Sequence, residues 1–284
     1  MGVGGPAVFD HVWLDGRIVA RVEARIPVTD HGFTVGDAVF ETIAVEAGRP
    51  LAARRHLARL ARSADALRMP QPDVAALRAA LDELVEVNGV SDAVFRIVHT
   101  SGSGPLGSAR GEGVGTTAVL GGPHPRWPAT SSVAVVGWPR NERGALAGVK
   151  STSYAENVLA LAEAQSRGAS EAVFPNLAGE LCEGSGSNVF VVVDGRALTP
   201  PLAAGCLAGV TRGLVLELEG IPVGEERIPM SALRDADEVF LTSATRHVQP
   251  VGEIDGRRLD APGPVTALIA AAYAARLATD PDPR

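Results

Sequence analysis

A run of glycine and proline near the middle of the chain is the feature that most constrains its fold. Residues Gly121–Pro128 read GGPHPRWP, and proline both fixes φ and removes a backbone donor, so no regular element is expected there. We predict an interdomain linker over residues 122–130, an N-terminal domain over residues 1–121 and a C-terminal domain over residues 131–284. The 284 residues suffice for two domains of ordinary size.

The hydrophobic periodicity predicts a mixture of helices and strands, so the expected fold class is α+β. An N-terminal hairpin is expected from Val12–Leu14 and Ile18–Val22, with a turn at Asp15-Gly16. Further strands are predicted at Ala93–His99, Thr116–Leu120, Val133–Gly137, Glu171–Phe174, Val189–Val193 and Glu238–Thr242. Helices are predicted at His56–Leu67, Asp73–Val87, Ala155–Arg167, Thr211–Leu218 and Val265–Leu277. The acidic, proline-containing tail Asp280–Arg284 is expected to be frayed.

Charge and composition argue against several kinds of partner. A net charge of −7 and a pI near 5.4 disfavour a protein that binds nucleic-acid phosphates. No apolar run approaches the roughly 20 residues of a membrane span, and Met1–Asp10 lacks the pattern of a secretory signal. Cys182 and Cys206 have no CxxC spacing, so we expect free thiols in a cytoplasmic protein.

Several common catalytic motifs are missing from the sequence. It contains no GxxxxGK[ST] phosphate loop, and its six histidines show no HExxH or other zinc spacing, so no metal is predicted. The segment Gly184–Asn188 reads GSGSN and is therefore not the GxSxG of a nucleophile elbow.

Lysine is informative here because arginine carries almost all of the basic charge. Lys150 stands in the segment GVKSTSY, between a predicted strand and a predicted helix. An arginine cannot replace a lysine that must form an imine, since its guanidinium is not deprotonated at neutral pH. A lone lysine is usually a solvated surface charge, so both interpretations stay open on the residues alone.

Two further segments each have a functional and an ordinary structural interpretation. Glu183 stands between two apolar strand candidates. It is there either a capping or solvated turn residue, or a fixed negative charge opposite a heteroaromatic nitrogen. The segment Leu207–Arg212 leads into an apolar helix, whose first N–H groups favour an anion. The alternative is an ordinary helix capped by Thr211.

Together and in this order, these segments resemble the fold type IV enzymes that use pyridoxal 5′-phosphate (PLP), the class IV aminotransferase family. That family includes branched-chain and D-amino-acid aminotransferases and 4-amino-4-deoxychorismate lyase. The resemblance covers nearly the whole chain. It rests on Asp30–Thr42 (DHGFTVGDAVFET), His56–Leu60 (HLARL), Lys150 with Tyr154 and Asn157, Glu183 with Ser187–Phe190, Leu207–Arg212, and Asp237–Ser243 (DEVFLTS). It implies a small N-terminal α/β domain and a larger C-terminal domain that contains a pseudo-barrel of strands.

The resemblance also implies roles around the cofactor ring. Lys150 is expected to hold PLP as a Schiff base and then to move the α-proton of the substrate. Glu183 is expected to face the pyridine nitrogen and to keep it protonated. Tyr154 is expected to hydrogen-bond the ring hydroxyl, although in the branched-chain enzymes the comparable tyrosine stands one residue further on.

For the cofactor phosphate, the resemblance implies two groups of contacts. Arg59 is expected to bind the phosphate with its guanidinium. The backbone N–H groups of Val210 and Thr211, with the Thr211 hydroxyl, complete that site. Ser243 and Ala244 are expected to make a second contact, in which Ala244 offers only its backbone.

The substrate residues match the family less well. The candidates are Phe40, Arg96 and Ser101. Where D-amino-acid aminotransferase has a Val-Thr-Arg-Gly pattern, residues His99–Gly102 read HTSG, so a carboxylate-binding arginine is missing. Arg96 lines up instead with an arginine of the branched-chain enzymes.

The resemblance leaves two reactions open. One is the transfer of an amino group between an amino acid and a 2-oxo acid. The other is the lyase reaction, which releases pyruvate and 4-aminobenzoate for folate synthesis. Both begin with removal of the Cα proton, so the catalytic residues do not separate them, although Phe40-Glu41-Thr42 favours the transferases. A non-catalytic relative would be favoured by loss of Lys150 or Glu183, and both are present.

The resemblance implies a homodimer in which loops of the partner subunit close each site. The glycine- and serine-rich segment Ser101–Arg110 is either such a cover or a mobile surface loop.

Overall fold

A computed structural model describes residues 8–284; residues 1–7, which belong to the segment without a secretory pattern, lie outside the described residues. The chain divides into two compact units. Of the described residues, the first unit contains those up to Pro125 together with Val149–Ser153 and Asp280–Arg284. The second unit contains Arg126–Gly148 and Tyr154–Thr279. The domain bounds expected from the sequence remain a prediction. They do not group Val149–Ser153 and Asp280–Arg284 with the N-terminal residues.

An antiparallel sheet forms the centre of the first unit. Its strands are β1 (His11–Leu14), β2 (Arg17–Ala20), β3 (Ala38–Glu46), β4 (Arg49–Pro50), β5 (Ala93–Thr100) and β6 (Thr117–Pro123). Within the described residues their order is β2-β1-β6-β5-β3-β4. The predicted hairpin is confirmed, with β2 ending at Ala20. Asp15 and Gly16 have φ of 46° and 95°, the left-handed values that a two-residue hairpin turn requires.

Three helices accompany this sheet in the part of the first unit that is described: α1 (His31–Thr34), α2 (Ala53–Ala66) and α3 (Val74–Val87). The helices predicted from leucine spacing are thus confirmed. Leu57 and Leu60 of α2 and Leu81 of α3 are buried in one apolar cluster with the strand residues Ile43 and Phe95. Burial of such side chains contributes roughly 1.5–3 kcal/mol each.

The C-terminal tail is not frayed, contrary to the prediction. The start of α2 needs partners for its N–H groups, and the preceding residue, Ala52, has no side-chain acceptor. The carbonyl of Pro281 accepts from the Ala52 N–H at 2.7 Å, and the Asp282 carboxylate accepts from the Arg54 N–H at 2.8 Å. Local sequence gave no sign of this cap because its residues lie 228 positions apart.

Periodicity also misses β3, although the strand lies inside the sheet. Almost all of its residues are buried, so it lacks the alternation that identifies a strand exposed on one face. The prediction that Gly121–Pro128 contains no regular element is wrong for its first three residues, which complete β6. A Cβ on Gly121 would lie 2.3 Å from a ring carbon of Phe95. The glycine therefore permits close packing within a strand.

A mixed sheet forms the centre of the second unit. Its strands are β7 (Ser131–Val135), β8 (Glu171–Pro175), β9 (Leu181–Gly184), β10 (Asn188–Val193), β11 (Arg196–Thr199), β12 (Val223–Glu225), β13 (Glu238–Ser243), β14 (His247–Ile254) and β15 (Arg257–Arg258). Among the described residues the order is β12-β11-β10-β13-β14-β7-β8-β9, and β15 pairs with β14. The four strands predicted in this half are confirmed. Glu183 lies in β9, so its interpretation as a turn residue is wrong.

The helices of the second unit, as far as the chain is described, are α4 (Ala155–Ser166), α5 (Val210–Leu216), α6 (Ala232–Asp235), α7 (Pro264–Thr279) and a 3-10 turn at Leu202–Ala204. The predicted helices here are confirmed, as is the α+β class. Cys182 and Cys206 are buried, free thiols, as expected. None of the helices formed by residues 8–284 has the length and apolar character needed to span a membrane.

Candidate active site

Lys150 is the only lysine in the sequence, and its backbone is fixed beside β3. The Phe40 N–H donates to the Lys150 carbonyl at 3.0 Å. Two residues further on, the Thr152 N–H donates to the Ala38 carbonyl at 2.8 Å. The segment Val149–Ser153 therefore pairs with the first half of β3 in the way a short strand would.

Two cationic side chains converge on the ring of Phe40. Lys150 Nζ lies 4.2 Å from the ring centroid and the Arg96 guanidinium carbon lies 3.9 Å from it. Phe40 is buried, whereas Arg96 is exposed. A cation over an aromatic face gains about 0.5–2 kcal/mol. The structure thus brings together three residues that the sequence analysis named, and it creates a positive surface that suits a carboxylate.

Ser101 is buried, and it begins a segment that is tied down at several points. Its N–H donates to the Asp37 carbonyl at 3.1 Å. Arg110, at the other end, donates to both oxygens of the Asp37 carboxylate at 2.6 and 2.7 Å, and to the Leu67 carbonyl at 2.7 Å. The hydrogen bond from Arg110 holds the pKa of Asp37 below its usual value. Whether this segment covers a site remains a prediction.

Arg59, expected at the cofactor phosphate, belongs to a buried cluster between α2 and β3. Its Nε and Nη2 donate to the two oxygens of Glu41, each at 2.7 Å, and His56 Nδ1 lies 2.7 Å from the same carboxylate. Burial would raise the pKa of Glu41, but the charge of Arg59 and the hydrogen bonds from Arg59 and His56 lower it to about 2. Burial lowers the pKa of His56, so we take His56 as neutral and donating.

The motif that contains Arg59 does not identify its partners, His56 and Glu41. His56 and Arg59 are three residues apart, a spacing that places them on one face of a helix. That spacing was a usable signal. Glu41 follows Phe40 in a run of buried residues, and only its polarity marks it among apolar neighbours.

In the second unit, the carboxylate of Glu183 is held from two directions. The Leu207 N–H donates to Oε2 at 2.8 Å, and Arg140 Nε lies 3.3 Å from Oε1. The side chain of Glu183 is 13% exposed. An anionic carboxylate held in this way can face a protonated nitrogen. Arg140 lies in a loop after β7 and belongs to none of the motifs that identify the other residues.

Tyr154 directly precedes α4, and its hydroxyl donates to the Ser185 carbonyl at 3.0 Å. Asn157 Nδ2 donates to the same carbonyl at 2.8 Å. The turn that carries this carbonyl is fixed by buried Glu171, which accepts hydrogen bonds from Ser185 Oγ and from Ser187 Oγ. The expected bond from Tyr154 to a cofactor hydroxyl remains a prediction.

The start of α5 has no side-chain cap. Its N-cap is Gly209, so the alternative of an ordinary helix capped by Thr211 is wrong. The geometry of a helix leaves the N–H groups of Val210 and Thr211 without an acceptor inside it. Asn188 Nδ2 donates to the Leu207 carbonyl at 2.9 Å, and a Cβ on Gly209 would lie 1.9 Å from Asn188 Oδ1.

Ser243 ends β13, and Ala244 follows it in the turn to β14. The Ser243 hydroxyl accepts from the Arg246 N–H at 3.1 Å. Thr242, the preceding residue, pairs across the sheet with Asn188. Thr242 thus connects this turn to the start of α5, because its partner Asn188 binds the Leu207 carbonyl.

The donor set fits the polar groups of PLP. In the first unit, the primary amine of Lys150 could react with an aldehyde. In the second unit, the carboxylate of Glu183 could face a ring nitrogen. The first turn of α5 supplies N–H groups for a phosphate. Only a residue without a Cβ fits at position 209 beside Asn188. The backbone at the start of α5 can therefore lie close to the Asn188 side chain.

Comparison with known proteins adds an independent line of support. The sequence model of the family described as amino-transferase class IV matches residues 38–254. A putative branched-chain-amino-acid aminotransferase of Methanocaldococcus jannaschii is 35% identical over 254 residues, which are 87% of this chain and 88% of that protein. The D-alanine aminotransferase of Bacillus licheniformis is 31% identical over 264 residues, 90% of this chain and 93% of that protein.

Among solved structures, the branched-chain aminotransferase of the thermophilic archaeon Thermoproteus uzoniensis with norvaline is similar with a TM-score of 0.87 and 32% identity. The match covers 94% of this chain and 94% of that one. This similarity confirms the expected fold type IV. These relatives are all aminotransferases, which does not favour the lyase alternative. The chain belongs to the class IV aminotransferase family.

Proposed function

We propose that this protein uses PLP, bound through Lys150, to transfer an amino group between an amino acid and a 2-oxo acid. Family membership makes the chain an aminotransferase. The observation that carries the assignment of Lys150 is its position in the first unit, with Nζ over Phe40 and its backbone paired to β3. Bound PLP supplies a reactive aldehyde and a ring that accepts electrons.

Lys150 has two tasks in this proposal. Its amine binds the cofactor aldehyde, and after release by the substrate it accepts the Cα proton and returns it. The contact with Phe40 and the pairing with β3 restrict where the amine can go. An arginine at this position would keep the positive charge but would perform neither task.

Residues of the second unit are proposed to hold the cofactor ring and part of its phosphate. Glu183 faces the pyridine nitrogen, and Tyr154 binds the ring hydroxyl. The N–H groups of Val210 and Thr211, with the Thr211 hydroxyl, bind phosphate oxygens. These assignments are supported by the held carboxylate of Glu183 and by the first N–H groups of α5, for which a helix provides no internal acceptor.

Further phosphate contacts are proposed for Arg59, for the Ser243 hydroxyl and for the Ala244 N–H. Glu41 fixes the orientation of the Arg59 guanidinium, since it engages Nε and Nη2 together. A guanidinium that is already oriented loses less entropy when it binds an anion.

For the substrate, we propose that Arg96 binds a carboxylate and that Phe40 and Ser101 line the space around it. Arg96 is exposed and lies on the Phe40 ring. The relatives above include both branched-chain and D-alanine enzymes, so the substrate panel must contain both enantiomers.

A cytoplasmic homodimer is also proposed. Exposed apolar side chains of the first unit, Val28, Phe33, Leu106 and Val114, are candidates for burial by a second copy. Free cysteines agree with a reducing compartment. Light scattering during gel filtration should give the mass of a dimer, and Phe33→Asp should shift it towards that of a monomer. A wild-type protein that remains monomeric contradicts this assignment.

The test of the cofactor proposal exploits the single lysine. Borohydride reduction of the PLP-loaded protein should bleach its visible absorbance and leave a pyridoxyl group on Lys150, located by peptide mass mapping. Lys150→Arg is the matched variant because it keeps the charge. It should show neither the adduct nor turnover, and retained turnover contradicts the proposal.

The reaction is tested with L-branched-chain amino acids and D-alanine, each offered with 2-oxoglutarate. Formation of glutamate and the matching 2-oxo acid supports the transferase. Release of pyruvate with 4-aminobenzoate from aminodeoxychorismate, without transamination, contradicts it.

A further inference from the structure

Arg140 is anchored next to Glu183 by both its backbone and its side chain. Its N–H donates to the Pro175 carbonyl at 2.7 Å, and it forms an isolated bridge with Asn176. Its guanidinium lies over the ring of Phe174, 4.2 Å from the centroid. The side chain is 15% exposed. Such anchoring leaves the guanidinium few alternative positions.

The guanidinium contacts two carboxylates that differ in exposure. Nη1 lies 2.5 Å from Glu156 Oε2, and Nε lies 3.3 Å from Glu183 Oε1. Glu156 is 44% exposed, whereas Glu183 is 13% exposed. Water screens the first interaction more than the second. Glu183 is therefore the less screened of the two carboxylates that this guanidinium contacts.

We propose that Arg140 is a positioning residue that keeps Glu183 anionic and oriented, so that the proton shared with the cofactor ring nitrogen stays on the nitrogen. This inference rests on the proposed function, in which Glu183 faces that nitrogen. Leu207 contributes the second restraint, because its N–H binds the other carboxylate oxygen.

Distance from the guanidinium determines how the charge of Arg140 affects the proton shared by Glu183 and the ring nitrogen. A nearby cation favours the charged form of a carboxylate. The same cation would disfavour a protonated ring nitrogen, but in the proposed arrangement that nitrogen would contact Glu183 and not Arg140, so it would lie further from the guanidinium. Because Coulomb interaction falls with distance, the effect on the carboxylate dominates. Removing the charge should therefore move the shared proton from the nitrogen towards Glu183.

The experiment uses protein loaded with PLP that carries nitrogen-15 in its ring, since the chemical shift of that nucleus reports its protonation. The neutral variants are Arg140→Gln and Arg140→Met, of which the second retains apolar contact with Phe174. Arg140→Lys keeps the charge. Arg143→Gln is the matched control, because Arg143 is an exposed arginine of the same loop.

Wild type, the control and Arg140→Lys should show the shift of a protonated nitrogen. The neutral variants should shift towards the unprotonated value. Their dissociation constant for PLP should rise about tenfold, as expected for the loss of one charge-assisted contact. Circular dichroism identifies the neutral variant that folds, and that variant is used.

The outcomes separate this inference from the proposed function. A wild-type protein that binds no PLP overturns both. If wild type binds PLP and a folded neutral variant gives the shift and affinity of Arg143→Gln, only the role of Arg140 is overturned. An unprotonated nitrogen in Arg140→Lys overturns it as well, because charge would then not be the cause.

Discussion

Arg59 donates from Nε and Nη2 to the two carboxylate oxygens of Glu41, each at 2.7 Å, where α2 packs against β3. Both side chains are almost fully buried. Such a pair adds little to stability compared with apolar residues, because both charges must be desolvated. Loss of one partner is costly, since the other charge then stays buried without compensation.

Glu41→Gln should therefore lower the free energy of unfolding by about 3 kcal/mol, measured by urea denaturation at pH 7.5. The matched control is Glu83→Gln, an exposed glutamate on α3, which should change it by less than about 0.5 kcal/mol. A loss in Glu41→Gln no larger than in the control contradicts the assignment of a buried ion pair.

Acid should destabilise the protein in two stages because of this cluster. Burial lowers the pKa of His56, so below the ordinary value of 6.5 the unfolded chain takes up a proton that the folded one does not. This contribution is present above that pH and is lost as the pH falls. The contribution of Glu41 is fully present above about pH 4.5 and is lost as the pH falls towards its folded pKa of about 2.

The measurement is the free energy of unfolding in urea between pH 7.5 and pH 5.5. His56→Gln should lose less stability over this range than wild type does. Gln71→Ala, which changes an exposed residue without a titrating group, should follow wild type. His99, whose pKa burial also lowers, is present in all three proteins and contributes equally. Parallel curves for wild type and His56→Gln would show that His56 does not contribute.

Elements with an amphipathic pattern and marked ends were predictable. Helix α3 was placed correctly because Leu77, Leu81 and Leu84 recur on one face and Asp73 caps its start. Strand β3 was not, because its residues are buried on both faces. Burial of both faces removes the periodic signal that identifies a strand.

Some residues of the candidate site were likewise predictable from the sequence, and others were not. Lys150 and Glu183 were named from short motifs, and the structure holds both in defined positions within their units. Arg140 and Asp282 could not be named, since each acts on residues far along the chain. Contacts of this kind depend on the tertiary fold and leave no local pattern.

Asp282 should stabilise α2 from outside the helix. Its carboxylate accepts from the Arg54 N–H at 2.8 Å, as an N-cap residue does. Asp282→Ala should therefore lower the free energy of unfolding by about 1 kcal/mol. Asp65→Ala removes an exposed carboxylate near the other end of α2, where a negative charge is unfavourable, and it should not destabilise. Equal effects in urea denaturation would contradict the cap.

The close approach of Gly209 to Asn188 gives the most direct test of the start of α5. An added Cβ would lie 1.9 Å from Asn188 Oδ1, which forces either the side chain or the backbone of residues 207–211 to move. In Gly209→Ala the dissociation constant for PLP should rise at least tenfold, roughly the effect of one lost hydrogen bond to an anion. Fluorescence titration of the apoprotein measures this constant.

Two further variants decide whether the contact with Asn188 is the cause. Asn188→Ala added to Gly209→Ala removes the clashing oxygen, so it should recover part of the affinity. Gly137→Ala is the control, because an added Cβ there meets no atom within 4 Å, and its affinity should match that of wild type. If Gly209→Ala binds PLP as tightly as Gly137→Ala does, the N–H groups of Val210 and Thr211 do not hold the cofactor phosphate. The proposed phosphate contacts of the second unit would then be the Thr211 hydroxyl, Ser243 and Ala244.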